Sequence, residues 1–270
     1  MIINNISEII QKYDTFILDQ WGVLHNGGNA FKHAVETLKL LKENNKKVVI
    51  LSNSGKQKHN SYTRLSESGI NRDLYLDVMT SGEHMLHNFK NGMFDKLGKN
   101  PTFYDWDNDF TIMEILGFKN TDINTSDFIL CCGVERGDAE KYIEDLKIAK
   151  ARNLELIVSN PDIVAMNKQG ELKDCPGAIA KLYKEIGGKV HWFGKPQPEI
   201  YELCYKMANG WNNAVAVGDS LEHDIKGAIK ANIDSVFITS GIHKEQIAKT
   251  NLDNVIEKYG QKPTYSLEWF

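Results

Sequence analysis

Short apolar runs alternate with longer amphipathic stretches at both ends of the chain. Three runs are almost continuously apolar, which predicts strands buried on both faces: 15–18 (TFIL), 47–51 (KVVIL) and 214–217 (AVAV). Polar or glycine-rich residues follow each run, and apolar residues at helical spacing come next, as at Leu38 and Leu41. Strand, polar loop and helix in this repeated order predict an α/β fold, a doubly wound parallel sheet covered by helices.

The middle of the chain has an α/β pattern of its own. Residues 128–130 and 154–158 are predicted strands, and a helical pattern follows each of them. We therefore interpret residues 81–188 as a large inserted α/β domain. Residues 1–80 and 189–270 then form one discontinuous core domain.

Composition narrows the class of protein. Of the 270 residues, 41% are hydrophobic and 25% are charged, which is typical of a soluble globular chain. A net charge of −4 gives no electrostatic reason to expect nucleic acid or an anionic membrane as a partner. No signal-peptide pattern opens the chain, no run approaches the roughly 20 apolar residues of a membrane span, and the four cysteines include no C-x-x-C pair. We expect a reduced, cytoplasmic protein.

Carboxylates follow two of the predicted strands of the core. Asp19 ends the first strand, while Asp219 and Asp224 follow the strand at 214–217. The carboxyl ends of parallel strands form the edge where ligands bind, and Mg²⁺ prefers oxygen ligands, so these residues are candidate metal ligands. The alternatives are a loop cap for Asp19 and a helix-start residue for Asp224.

Two further features suit a bound phosphate. Ser52 and Asn53 end the second strand, where a hydroxyl and backbone amides in a tight turn can hold phosphate oxygens. Lys195 lies between a glycine that allows close approach and a proline that restricts the turn. Taken singly, the first feature is an ordinary turn and the second a solvated surface charge.

In this order, the motifs resemble the four motifs of the haloacid-dehalogenase superfamily. They are an Asp ending the first strand, a Ser ending the second, a Gly-Lys-Pro, and a Gly-Asp-x₄-Asp after a later strand. The resemblance covers essentially the whole chain. The insertion, with Asn160-Pro161-Asp162 after a strand, resembles the α/β cap of the class IIA, NagD-like phosphatases.

The resemblance implies a Mg²⁺-dependent phosphatase in which Asp19 attacks phosphorus and forms an aspartyl-phosphate. It implies that Mg²⁺ is held by Asp19, the backbone carbonyl of Trp21 and Asp219. Asp224 would bind the metal through water, or would contact these ligands without binding the metal. Lys195 would stabilise the transition state and orient Asp19. A small phosphorylated metabolite is the expected substrate, and a homodimer through the cap is the expected assembly.

The resemblance also implies residues that contact the substrate. Ser52 and the Asn53 amide would bind the transferring oxygens. Asn160 and Asp162 in the cap are candidates for contact with the rest of the substrate. An Asx-type turn is the alternative reading of the last two.

The chain departs from the family pattern at Trp21, where the family usually has an Asp that protonates the leaving group. In this it resembles a class IIA subgroup with Asp-x-Trp in the first motif. His25, in the same loop, could supply that proton instead, or it could be a packing residue. Alternatively, the leaving group needs little protonation, or the protein binds phosphoesters without turning them over well. A dehalogenase needs no such acid, but Asp219, Asp224 and the large cap argue against that activity.

Two other features have ordinary interpretations. The cluster Asp105, Trp106, Asp107 and Asp109 is either a second metal site or a solvated helix start. His223 lies among the metal-motif carboxylates, but Mg²⁺ rarely takes imidazole, so we interpret it as a helix-face residue.

Overall fold

The computed structural model describes residues 1–105, 109–135, 137–166 and 171–270. Its strands are β1 (Thr15–Leu18), β2 (Lys47–Ser52), β3 (Asp77–Thr80), β4 (Thr102–Tyr104), β5 (Ile129–Cys131), β6 (Glu155–Val158), β7 (Val164–Met166), β8 (Leu172–Asp174), β9 (Lys189–Trp192), β10 (Ala214–Gly218), β11 (Asp234–Ile238) and β12 (Tyr265–Leu267). Its α-helices are α1 (Lys32–Glu43), α2 (Lys58–Ser68), α3 (Ser81–Lys90), α4 (Thr111–Leu116), α5 (Ile143–Ala151), α6 (Pro176–Glu185), α7 (Pro198–Met207), α8 (Lys226–Lys230), α9 (Lys244–Lys249) and α10 (Leu252–Tyr259). A π-helical turn, Leu221–Ile225, precedes α8.

The chain forms two compact units. The core unit comprises residues 1–52, 59–79 and 195–270, and the inserted unit comprises residues 53–58 and 80–194. The predicted boundary before residue 189 is corrected, because β9 pairs with β6 in the sheet of the inserted unit. The short segment 53–58, predicted as core, also belongs to the inserted unit. In the part of the chain that the structure describes, no helix has the length and apolarity needed to cross a membrane.

The core unit contains a six-stranded sheet in the order β12-β11-β10-β1-β2-β3. β1 runs parallel to both β10 and β2, so that Ile17 is aligned with Ala216 and Val49. These three side chains pack into one hydrophobic cluster, whereas Phe16 and Leu18 pack into a different cluster. Successive strand residues point to opposite faces, so a continuously apolar strand needs a core on each side. The predicted α/β fold with a doubly wound parallel sheet is confirmed.

The inserted unit has its own four-stranded parallel sheet in the order β4-β5-β6-β9, together with the antiparallel pair β7 and β8. Cys131 and Val158 pack into one hydrophobic cluster, and Leu130 and Ile157 pack into another. The insertion therefore carries a hydrophobic core on each face of its own sheet.

Candidate active site

Asp19 lies at the carboxyl edge of the core sheet, directly after β1. Its backbone N–H donates to the carbonyl of Val217 (2.8 Å), which extends the pairing of β1 with β10 by one residue. The residue is 9% exposed, and Oδ1 accepts a hydrogen bond from Lys195 Nζ (2.5 Å). The strand pairing therefore sets the position of the predicted nucleophile, and the lysine sets the direction of its carboxylate.

Lys195 forms hydrogen bonds with residues in or next to the other sequence motifs of the core unit. Its Nζ donates to Oδ1 of Asp19, to Oδ1 of Asp224 (2.7 Å) and to the carbonyl of Leu51 (3.2 Å). The residue is 3% exposed. A buried ammonium needs acceptors for its N–H groups, and here they come from three separate segments of the chain. The reading of Lys195 as a solvated surface charge is therefore wrong.

Asp219 and Asp224 complete an acidic group with Asp19, all three of them buried. One carboxylate oxygen from each can be chosen so that the three atoms lie within 4.8 Å of one another. Oδ2 of Asp219 accepts from the backbone N–H of Ile242 (2.9 Å), and Oδ2 of Asp224 accepts from that of Ser220 (3.0 Å). Backbone donors therefore orient both carboxylates.

The absence of a side chain at Gly22 also shapes this group. Gly22 has φ +82°, and a Cβ there would lie 2.1 Å from Oδ2 of Asp219. Positive φ and lack of space both favour glycine at this position.

Burial raises the pKa of Asp19 well above its usual value; Lys195 opposes this rise, and Asp224 and Asp219 add to it. Burial, followed by the charge of Asp224, raises the pKa of Asp219 to about 7. For Lys195, burial opposes the charged form, but Asp19 and Asp224 outweigh it and raise the pKa. Three carboxylates face one ammonium, so full ionisation leaves two negative charges unbalanced. A divalent cation that prefers oxygen ligands fits this donor set.

The remaining predicted substrate residues lie in different units. Ser52 is the last residue of β2, 9% exposed, in the core unit. Asn53 belongs to the inserted unit, where its Nδ2 donates to Oδ1 of Asp162 (2.8 Å). The backbone N–H of Asp162 donates to Oδ1 of Asn160 (2.9 Å), which is the Asx-turn geometry. These contacts favour the turn alternative for Asn160 and Asp162.

Trp21 packs within its own loop. Its indole ring lies edge-on to the His25 ring, with 5.5 Å between centroids. Gly27 has φ +92°, and a Cβ there would lie 2.1 Å from the indole ring. The indole is therefore enclosed on one side by Gly27 and on another by His25.

His25 has the environment of a packing residue. It is completely buried, Nδ1 accepts from the Gly27 N–H (2.9 Å), and Nε2 lies 3.0 Å from the side-chain amide of Gln20. Burial, with a smaller effect from Arg64, lowers the pKa of His25 to about 4. Both ring nitrogens are engaged and the ring stays neutral at pH 7, which favours packing over proton donation.

Three contacts of the site escaped the sequence analysis. His223 was interpreted as a helix-face residue, yet its Nδ1 lies 3.2 Å from the backbone carbonyl of Lys195. The other two are the backbone groups of Leu51 and Ile242 that bind Lys195 and Asp219. Contacts made by backbone groups cannot be predicted from residue types. The one available signal was Ser220, a residue type that favours helix starts, three residues before His223.

The described residues of the acidic cluster in the insertion, Asp105 and Asp109, belong to no group spaced to hold a metal. Asp109 forms an ion pair with Lys56 (3.5 Å), while Trp106 and Asp107 lie outside the described residues. Over the described ranges, the group of Asp19 and its two partner carboxylates is the one acidic, His or Cys group with spacing suited to a metal.

Two family models match the chain. The model described as haloacid dehalogenase-like hydrolase matches residues 16–100, and a second, described as HAD-hydrolase-like, matches residues 192–265. The first match includes Asp19, and the second includes Lys195 and Asp219. Both matches therefore fall on segments that carry the residues of the site.

Similar proteins match much of the chain. Dihydroxyacetone phosphatase from Corynebacterium glutamicum is 23% identical over 261 residues, which is 93% of this chain and 87% of that protein. Ribonucleotide monophosphatase NagD from Escherichia coli K12 is 30% identical over 131 residues, which is 47% of this chain and 49% of that protein. The crystal structure of a haloacid dehalogenase-like family hydrolase from Brucella suis 1330 superimposes with a TM-score of 0.87 at 23% identity, covering 100% of both chains, which shows a shared fold.

Proposed function

Because the chain belongs to the haloacid dehalogenase-like hydrolases, with the inserted α/β unit of the NagD-like class, we propose that it is a phosphatase acting on a small phosphate monoester. The observation that carries the proposal is the buried group of Asp19, Lys195, Asp219 and Asp224 at one sheet edge. Relatives named dihydroxyacetone phosphatase and ribonucleotide monophosphatase NagD support the same reaction class.

Asp19 is the proposed nucleophile. Its carboxylate oxygen bonds to phosphorus while the bond from phosphorus to the leaving oxygen breaks, and water then attacks phosphorus to release phosphate and regenerate Asp19. Lys195 orients this carboxylate through the 2.5 Å contact and places positive charge where negative charge develops on the transferring oxygens. The Ser52 hydroxyl and the Asn53 backbone amide would bind those oxygens.

Asp19, Asp219 and the Trp21 carbonyl would hold the metal directly, and Mg²⁺ is the cation that this oxygen donor set favours. Asp224 would bind it through water, since its two oxygens already accept hydrogen bonds from Lys195 and Ser220. When bound, the cation would offset the repulsion between the nucleophile and the anionic phosphoryl group.

Trp21 affects how fast esters with different leaving groups are hydrolysed, because it stands where the family usually has a proton donor. An indole cannot donate a proton as a carboxylic acid does, and a positioned acid is worth about 10²–10⁴ in rate. His25 is a poor replacement, because burial lowers its pKa to about 4. We therefore propose that esters with acidic leaving groups, such as aryl phosphates, are hydrolysed faster than alkyl phosphates.

Trp21 also supports a second candidate, a protein that binds phosphoesters and turns them over poorly. Against it stands the complete buried group around Lys195. Holding three carboxylates and an ammonium out of water is costly, and a simple binding protein has no need for such a group. A dehalogenase remains the weakest alternative, since it requires neither Asp219 nor Asp224.

The test compares hydrolysis of 4-nitrophenyl phosphate with that of glycerol phosphate, in Mg²⁺ and in chelator. It uses the wild type, Asp19→Asn, and the exposed control Asp253→Asn from α10. We expect Mg²⁺-dependent turnover that only Asp19→Asn abolishes. Equal turnover by Asp19→Asn would reject the nucleophile, and Mg²⁺ binding without turnover of any ester would favour the binding protein.

A further inference from the structure

The loop that carries Lys195 is held at its main chain as well as at its side chain. Nδ1 of His223 lies 3.2 Å from the Lys195 carbonyl oxygen, within hydrogen-bonding distance for an N–H donor on the ring. Asp224, the next residue, accepts from Nζ of the same lysine (2.7 Å). Adjacent residues therefore contact the two ends of Lys195.

Both residues lie in the π-helical turn at Leu221–Ile225. The Ile225 N–H donates to the carbonyl of Ser220 (3.1 Å), five residues earlier, which is the wide spacing of a π-helix. Ser220 also accepts from the His223 N–H through Oγ (3.2 Å) and donates its own N–H to Oδ2 of Asp224 (3.0 Å). Ser220 thus fixes the backbone of His223 and the carboxylate of Asp224 together.

We infer that His223 is a positioning residue for catalysis: its ring N–H holds the Lys195 main chain so that the ammonium meets Asp19 in the reactive geometry. The inference rests on the proposed function of Lys195. A lysine side chain has four rotatable bonds, so fixing the ammonium alone leaves the backbone free to shift. Fixing both ends restricts the ammonium to one approach, and displacement of a catalytic group by about 1 Å can cost about 10²-fold in rate.

The test is a matched pair of variants, His223→Asn and His223→Leu. Asn carries a donor nitrogen where the ring has Nδ1, and Leu has a similar shape without a donor. Both variants lack Nε2, so any role of that atom is removed equally from both. Leu has the higher helix propensity, so a defect confined to His223→Leu cannot come from weakening of the turn.

We expect kcat for 4-nitrophenyl phosphate to fall about tenfold in His223→Leu and less than about threefold in His223→Asn. We expect KM and the melting temperature to agree between the two variants. Equal kcat values in the two variants would overturn the inference, as would a defect that appears only in KM.

A readout that needs no substrate separates this inference from the proposed function. Beryllium fluoride with Mg²⁺ mimics the phosphoryl group on an aspartate, and calorimetry measures its binding. We expect weaker binding to His223→Leu than to His223→Asn, and equal affinities would count against the positioning role even if no ester were turned over. Failure of the wild type both to bind this analogue and to hydrolyse any ester would reject the proposed function instead.

Discussion

Nζ of Lys195 lies 2.5 Å from Oδ1 of Asp19, although the two residues are 176 positions apart in the chain. The lysine thereby contacts the residue that follows β1. Its Nζ also donates to the carbonyl of Leu51 in β2 and to Asp224 in the π-helical turn. Because the pair is buried, each charge depends on the other for stabilisation.

Replacing Lys195 with Met should destabilise the metal-free protein by about 3 kcal/mol, because it leaves buried carboxylates without their ammonium partner. Mg²⁺ should recover part of this loss by supplying positive charge. Urea denaturation with and without Mg²⁺ measures both effects. The control is Lys39→Met, an exposed lysine of α1, which should change stability by less than about 0.5 kcal/mol. A Lys195→Met protein as stable as the control would show that the buried pair contributes nothing.

Asp219→Asn should have opposite effects with and without metal. Burial and the charge of Asp224 raise the pKa of Asp219 to about 7, so removing its charge should stabilise the metal-free protein at pH 7 by as much as about 4 kcal/mol. The Asn oxygen can still accept from the Ile242 N–H. The variant should lose the gain of about 2.7 kcal/mol that the wild type shows at Mg²⁺ concentrations a hundredfold above its dissociation constant. An undiminished Mg²⁺ response in the variant would remove Asp219 from the ligand set.

Gly22→Ala should abolish Mg²⁺-dependent hydrolysis, since its Cβ would lie 2.1 Å from Oδ2 of Asp219. Gly69→Ala is the matched control, because Gly69 also has positive φ (+97°) but no neighbouring atom within 4 Å of the added Cβ. Both variants should lose about 1 kcal/mol of stability from backbone strain. Activity assays at a temperature where both variants are folded separate strain from displacement of Asp219; equal activities would contradict the prediction.

Trp21→Asp should raise the rate for alkyl phosphates relative to aryl phosphates by about 10²-fold, because it places a carboxyl group where the family has its proton donor. Trp21→Phe removes the indole without adding an acid and serves as the control. The ratio of kcat/KM values for glycerol phosphate and 4-nitrophenyl phosphate is the measurement. If both variants gave the wild-type ratio, leaving-group protonation would not depend on this position.

His84 should make the inserted unit less stable in acid. Burial, with a small contribution from His87, lowers the pKa of His84 to about 4 from an ordinary value of 6.5. The folded state therefore resists protonation while the unfolded chain accepts a proton, so stability falls as the pH drops from about 6.5 to about 4. The loss amounts to about 3 kcal/mol.

The variant His84→Asn should flatten this dependence by the same amount. Its side-chain oxygen can replace Nδ1 as acceptor for the Gly194 N–H. Other buried histidines, such as His25, are common to both proteins, so the difference isolates His84. Urea denaturation at several pH values provides the comparison, and parallel curves for the two proteins would refute the assignment.

Much of the fold and several site residues could be predicted from the sequence. The apolar runs that became β1, β2 and β10 are buried on both faces. Successive side chains of a strand point to opposite faces, so a continuously apolar strand must be covered on both. Asp19 and Asp219 could be placed because they directly follow β1 and β10, and Ser52 because it ends β2. The boundary of the insertion could not be placed as well, because β9 (KVHW) is short and mixes polar with apolar residues, so its sequence does not indicate which sheet it joins.

The sequence alone therefore determined the α/β class, the parallel core, the separate insertion and the residues at the strand ends, because local periodicity and motif order carry that information. Only the tertiary structure decided which groups those residues contact. The neutral state of His25 follows from its complete burial. The ring of His223 contacts the backbone carbonyl of Lys195, and a backbone contact cannot be read from residue types. Desolvation and backbone hydrogen bonds depend on what packs against a group, and packing exists only once distant segments have come together.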